Sequence, residues 1–212
     1  LEEGCHPKEI IVQLSDDLLA HYADKPLIDP YDIYQHLMDY WVETMQDDCY
    51  LIAADGWMTE TYRILETNKA GKQIDKGWTC DLVPKSLVVT RYFPAEHAAI
   101  TEMEAELESI SGQLTELEEE HGGEDGLFAE LEKVTKSNVT ARLKEIKGDL
   151  DAVDEIHELN AWLKLSNEEA TKKKAIKDAE TALDAQALAK YPTLSEDEVK
   201  TLVVEDKWLT TL

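Results

Sequence analysis

Apolar residues recur at helical spacing along most of the chain. From Pro7 to His21, Ile10, Ile11, Leu14, Leu18 and Leu19 form one stripe, closed by Asp24-Lys25-Pro26. Asp29 stands where a cap is needed, with Pro30 at the first helical position, where a missing N–H costs nothing. The helix it opens carries Tyr34, Leu37, Met38, Trp41, Val42 and Met45 on a wide apolar face that has to be buried. Beyond Gly56 the texture changes. Tyr62-Arg63-Ile64-Leu65 and Gln73-Ile74-Asp75 flank Asn68-Lys69-Ala70-Gly71, which predicts a small hairpin or an irregular loop. Pro84 opens a short helix bearing Leu87, Val88 and Tyr92, broken or kinked at Pro94.

After Pro94 the pattern is that of long helices. Ile100, Met103, Leu107, Ile110, Leu114 and Leu117 alternate steps of three and four, a heptad seam kept up for about three heptads. Every charged residue between Arg91 and Lys133 is acidic. Two parallel copies of this helix would set Glu104, Glu106, Glu118 and Glu120 against themselves, so the seam needs a partner with basic flanks. His121-Gly122-Gly123-Glu124-Asp125-Gly126 reads as a turn, followed by a short segment bearing Leu127, Phe128 and Leu131. Ser137 or Asn138 then caps a second arm with the stripe Val139, Leu143, Ile146, Leu150 and Val153 and the cations Arg142, Lys144 and Lys147. Acidic arm against basic arm predicts an antiparallel helical hairpin, each arm about 40 Å long at 1.5 Å per residue. The stripe changes register at Val153, Ile156, Leu159 and Leu163, where the second arm leaves the seam. A third long helix is predicted from near Asn167, with an alanine-rich face (Ala175, Ala179, Ala182, Leu183), to Lys190, and Tyr191-Pro192 stops it. Ser195 with Glu198 is a capping-box signature for a last helix bearing Val199, Leu202, Val203 and Trp208.

The expected fold is therefore mainly α. A helical region with a small β-hairpin or irregular insert covers residues 1–93, and a coiled-coil-like long-helix region covers 94–212. A length of 212 residues suffices to bury a core. Lysine and arginine number 21 against 46 aspartates and glutamates, a net charge of −25. That is the wrong sign for a general grip on phosphates, so contact with DNA requires a local basic patch or a partner. Cys5, Cys49 and Cys80 fit neither a disulfide framework nor a zinc pattern, which points to a reducing cytoplasm. No apolar run approaches the roughly 18 residues of a membrane span, and no membrane association is expected.

Candidate chemistry is sparse. Asp29-Pro30-Tyr31 resembles the Asp/Asn-Pro-Pro-Tyr/Phe loop of amino-methyltransferases, but it lacks the second proline and its position suits a helix cap. The only glycine cluster, Gly122, Gly123 and Gly126, lies between helices and not after a strand, so it is no S-adenosylmethionine turn. Asp32, His36, Asp47 and Asp48 could in principle hold a divalent metal, yet their spacing is better read as solvated or helix-pairing side chains. Cys80 has no histidine nearby in sequence to make it a nucleophile. No catalytic, cofactor or metal residue is assigned. Lys172, Lys173, Lys174 and Lys177 form the one concentrated basic patch: a solvated helix face first, and the best candidate for a DNA-phosphate contact second.

Several strings carry a resemblance to a known family. They are Asp29 to Trp57, Gly77 to Phe93, His121-Gly122-Gly123-Glu124-Asp125-Gly126-Leu127, Lys190-Tyr191-Pro192 and Lys200 to Trp208. In that order they resemble the part after the catalytic domain in the modification subunit of type I restriction-modification systems, an N6-adenine DNA methyltransferase. The chain begins at Leu1, which agrees with a C-terminal piece of such a subunit. The resemblance implies a prokaryotic cytoplasmic protein whose parent binds S-adenosylmethionine upstream. It implies a specificity subunit and a restriction subunit as partners, and DNA reached only through the full complex. On this reading the chain is a non-enzymatic assembly module that docks the methyltransferase onto the specificity subunit through Ile100, Met103, Leu107, Ile110, Leu114, Leu117 and Trp208. The alternative is a self-contained acidic coiled-coil adaptor unrelated to methylation, its seam satisfied within the chain. An autonomous enzyme built on Asp32, His36 and Asp48 ranks last.

Overall fold

The computed structural model describes residues 6–25, 29–69, 71–123 and 126–211. The protein is mainly helical and divides into two units, Leu1–Pro94 with Ala185–Leu212, and Ala95–Asp184. The sequence pattern carries the long-helix region through to residue 212. In the structure the residues from Ala185 onward belong instead to the first unit, where Tyr191 donates its hydroxyl to the Val83 carbonyl at 2.7 Å.

In the first unit, α1 (Pro7–Tyr22) opens with Pro7 in its first turn and the His6 ring nitrogen accepting the Lys8 N–H. The Asp29 carboxylate accepts the Tyr31 N–H at 2.8 Å and starts α2 (Pro30–Tyr40), so Asp29-Pro30 is a cap, not a catalytic loop. Pro26 lies outside the described residues. Five π-helical residues, Trp41–Met45, carry α2 into α3 (Gln46–Asp55) without a break. A π turn adds one residue and rotates the downstream helix by about 100°. Trp41 is accordingly buried while Val42, expected on the same face, is exposed. Helix α1 packs on α2 and α3.

Strands β1 (Tyr62–Thr67) and β2 (Gln73–Thr79) form an antiparallel hairpin paired from Tyr62↔Thr79 to Thr67↔Gln73, irregular between Arg63 and Leu65. Helix α4 (Lys85–Tyr92) follows Pro84, and the chain breaks at Phe93 before Pro94 opens the next helix. The second unit is made by α5 (Pro94–His121), α6 (Lys136–Glu145) and α7 (Val153–Lys190), the last as far as Asp184. At the C-terminal end a 3₁₀ turn (Tyr191–Thr193) leads into the short helix α8 (Glu196–Lys200). The Ser195 hydroxyl and the Glu198 carboxylate form the expected capping box, and π-helical residues Thr201–Trp208 then pack against α4 and the Trp41–Met45 segment.

The second unit is built on an antiparallel pair of long helices, α5 of 28 residues and α7 of 38. Three side-chain contacts set the direction. Glu118 meets the Trp162 indole N–H at 2.8 Å, Glu169 meets the Ser111 hydroxyl at 3.0 Å, and Glu106 pairs with Lys172. The antiparallel hairpin is thus present, but its second arm is α7 and not the segment from Ser137. Helix α6 begins after Thr135, whose hydroxyl accepts the Asn138 N–H, ahead of the expected cap. It ends at Glu145 with Ile146 as its C-cap, and the chain turns at Gly148, whose φ of +92° is a conformation that residues other than glycine rarely take. Leu150 and Val153, which the stripe in the sequence places on the seam, are exposed. The third helix expected from Asn167 is the continuation of α7. The core of the unit gathers Leu114, Phe128, Val139, Ile146, Leu159 and Trp162. The turn before Phe128 needs glycine at Gly126, where a Cβ would collide with the His121 carbonyl.

Leu159 is fully buried in that cluster and Leu150 is 88% exposed. Truncating Leu159 to Ala is expected to cost about 2–5 kcal/mol of unfolding free energy in urea titration, against less than about 0.5 kcal/mol for Leu150→Ala. Equal losses would restore the longer second arm.

Candidate docking groove

Helix α5 buries Ile100 and Leu114 and half-buries Met103, Leu107, Ile110 and Leu117. The whole seam expected from the sequence therefore turns to one side, and much of its cover comes from α6 and α7 within the second unit. One stretch stays open. Between α5 and α7 runs a groove of about 930 Å³ whose apolar lining comes from Ile110, Leu163 and the Ala175 methyl. Glu106 and Ser109 border it on α5, and Lys164 and Lys172 on α7. Glu102, Glu104, Glu106 and Glu108 on α5 are all exposed, and of these Glu106 borders the groove.

The ion pairs along this unit follow from that charge distribution. Lys172 reaches across to Glu106, and Lys173 pairs with Glu169 on its own helix at 2.8 Å. The hydrogen bond from Lys173, with a second from Ser111, holds the Glu169 carboxyl below the usual carboxylate range. The four-lysine patch is thus divided, with Lys172 and Lys173 engaged in carboxylate pairs and Lys174 and Lys177 exposed. Arg142, expected to face the acidic arm, instead bonds Glu155 through two nitrogens at 2.6 and 3.1 Å.

Trp208, the remaining residue of the expected partner-binding set, sits in the first unit and is buried. Its indole N–H donates to Asp48 at 2.8 Å, its carbonyl accepts the Tyr40 hydroxyl at 2.6 Å, and Lys207 reaches the other Asp48 oxygen at 2.7 Å. Asp48 is itself buried, so its charge is tolerated only because both oxygens are engaged. This clasp joins residues 160 positions apart, and spacing alone could not have found it.

The side chains considered for catalysis do not converge. Asp32 and His36 are exposed on α2, while Asp48 is taken up by the clasp. Among the described residues no three His, Cys, Asp or Glu side chains come together as a metal would require. Burial pushes the Cys49 thiol up to about 11 and raises that of Cys80, the reverse of what a nucleophile needs. Among the described residues no helix is long and apolar enough to cross a membrane.

Glu198 in the capping box is held down to about 2, first by the Ser195 backbone N–H and then by Lys190 and the Tyr92 hydroxyl. Its folded carboxyl is the stronger acid, so its stabilisation is complete above pH 4.5 and is lost as pH falls toward 2. Glu198→Gln is expected to lower the thermal midpoint at pH 7 and to shrink its decline between pH 5 and 2, followed by circular dichroism. An undiminished decline would contradict the assignment.

No family model matches the chain, and no curated protein or solved structure matches it either.

Proposed function

We propose that the chain is a helical assembly module, which docks a type I DNA adenine methyltransferase onto its specificity subunit and carries no catalytic chemistry of its own. The carrying observation is the groove between α5 and α7, apolar along Ile110, Leu163 and Ala175 and bordered on α5 by the exposed Glu106. Such a groove suits an amphipathic helix that lays an apolar stripe along it and turns Lys or Arg toward α5. The charge sets partner choice more than affinity, because a second acidic helix would be repelled. The strings from Asp29 to Trp57 and from Gly77 to Phe93, with the shorter ones after them, supply the methyltransferase context. S-adenosylmethionine and the restriction subunit belong to the parent assembly.

One observation favours a second reading, the self-contained acidic adaptor. Leu114 is already packed in the core with Leu159 and Trp162, so the centre of the seam is satisfied within the chain. The two readings differ in what the open groove does.

Ala175 is exposed on the groove wall, so Ala175→Glu leaves the core untouched and keeps a good helix former. Calorimetric titration with the specificity subunit is expected to show binding by the wild type and at least a tenfold loss in Ala175→Glu, with unchanged thermal stability. Wild-type binding that Ala175→Glu leaves intact would move the interface elsewhere, and no binding by either would favour the adaptor.

A further inference from the structure

The β1–β2 ribbon has a character unlike the rest of the chain. Between Thr61 and Thr79 the sequence carries Arg63, Lys69, Lys72 and Lys76 against only Glu66 and Asp75, in a protein of net charge −25. All six positions of β1 and the first four of β2 are exposed. Among the described residues no third strand pairs with either edge. An isolated two-stranded hairpin is marginal in water, yet this one also exposes Ile64, Leu65 and Ile74. Its root is tied down. Trp78 is buried with its ring edge-on to Tyr191 at 5.2 Å, and the Tyr62 hydroxyl donates to Asp81 at 2.6 Å.

The far end is ordered by its own turn. The Asn68 side-chain oxygen accepts the Lys72 N–H at 2.9 Å, and the Gly71 N–H donates to the Asn68 carbonyl at 2.9 Å. Lys69 and Lys72 lie on that turn, both exposed. Farther down, Arg63 pairs with Asp75 at 3.5 Å and Lys76 with Glu66 at 3.4 Å, each partner at least half exposed. Pairs this open contribute little to stability and exchange readily for another anion.

We propose that this ribbon is a DNA-contacting element that enters a groove of the duplex, with Lys69 and Lys72 on the phosphates. Two strands spaced about 4.8 Å apart fit a major groove about 12 Å wide. The exposed Ile64, Leu65 and Ile74 then have apolar surface to meet, thymine methyls among it. The strong negative charge elsewhere confines the contact to the ribbon, so few counterions are released and binding is weak and local. The proposal rests on the ribbon's own charge and exposure and is independent of the docking groove.

The test is fluorescence anisotropy of a labelled, mixed-sequence duplex at low salt, with the full chain. Lys69→Glu/Lys72→Glu is compared with Lys174→Glu/Lys177→Glu on α7, and circular dichroism checks that both variants fold. The ribbon variant is expected to lose at least tenfold in affinity and to reduce the salt slope by about two, while the α7 variant binds as the wild type does. Absence of binding by the wild type, or a loss carried by the α7 variant alone, would overturn the proposal. So would equal affinity for heparin, which would make the ribbon a general polyanion contact.

Discussion

Helix α5 carries nine glutamates and no lysine or arginine beside a single apolar seam, and the second unit is arranged to satisfy that combination. An acidic helix of this kind cannot pair with its own copy without setting glutamates face to face. It folds by pairing with a helix that offers both apolar cover and cations. Helix α7 does so, through Leu159 and Trp162 at one end and through Lys172 opposite Glu106 farther along. The short helix α6 and the turn at Phe128 close the core around Leu114. At Ile110 the seam is only half-covered and opens into the groove.

The first unit solves a different problem. Its helices are short, and the buried Asp48 charge is held by Lys207 and Trp208 from the C-terminal segment. The same segment is fixed by the Tyr191 hydroxyl on the Val83 carbonyl and by the Arg91 guanidinium, which bonds both Asp206 oxygens at 2.5 and 2.9 Å. The C-terminal stretch is therefore part of the fold of this unit, with Trp208 buried in it.

Local rules were legible in the sequence. The Asp29-Pro30 start of α2 and the Ser195–Glu198 capping box are short-range hydrogen-bond patterns, and the α5 seam is a simple period. What escaped depended on partners distant in sequence. The continuity of α7 was hidden because its apolar positions change register near Leu159 and give way to alanines. A stripe through Leu150 and Val153 looks continuous as a string of letters, whereas the chain leaves the helix first. Of the residues expected to meet a partner, those on α5 lie along a face that includes an open groove, and Trp208 does not.

The proposed docking role requires α5 to be satisfied within one chain while the groove at Ile110 receives a helix from a different protein. Light scattering on size-exclusion chromatography tests this most directly, with the chain alone and then mixed with the specificity subunit. The account predicts a monomer that shifts into a complex of fixed stoichiometry. A dimer of the chain alone, or a monomer whose mass is unchanged by the specificity subunit, would contradict it.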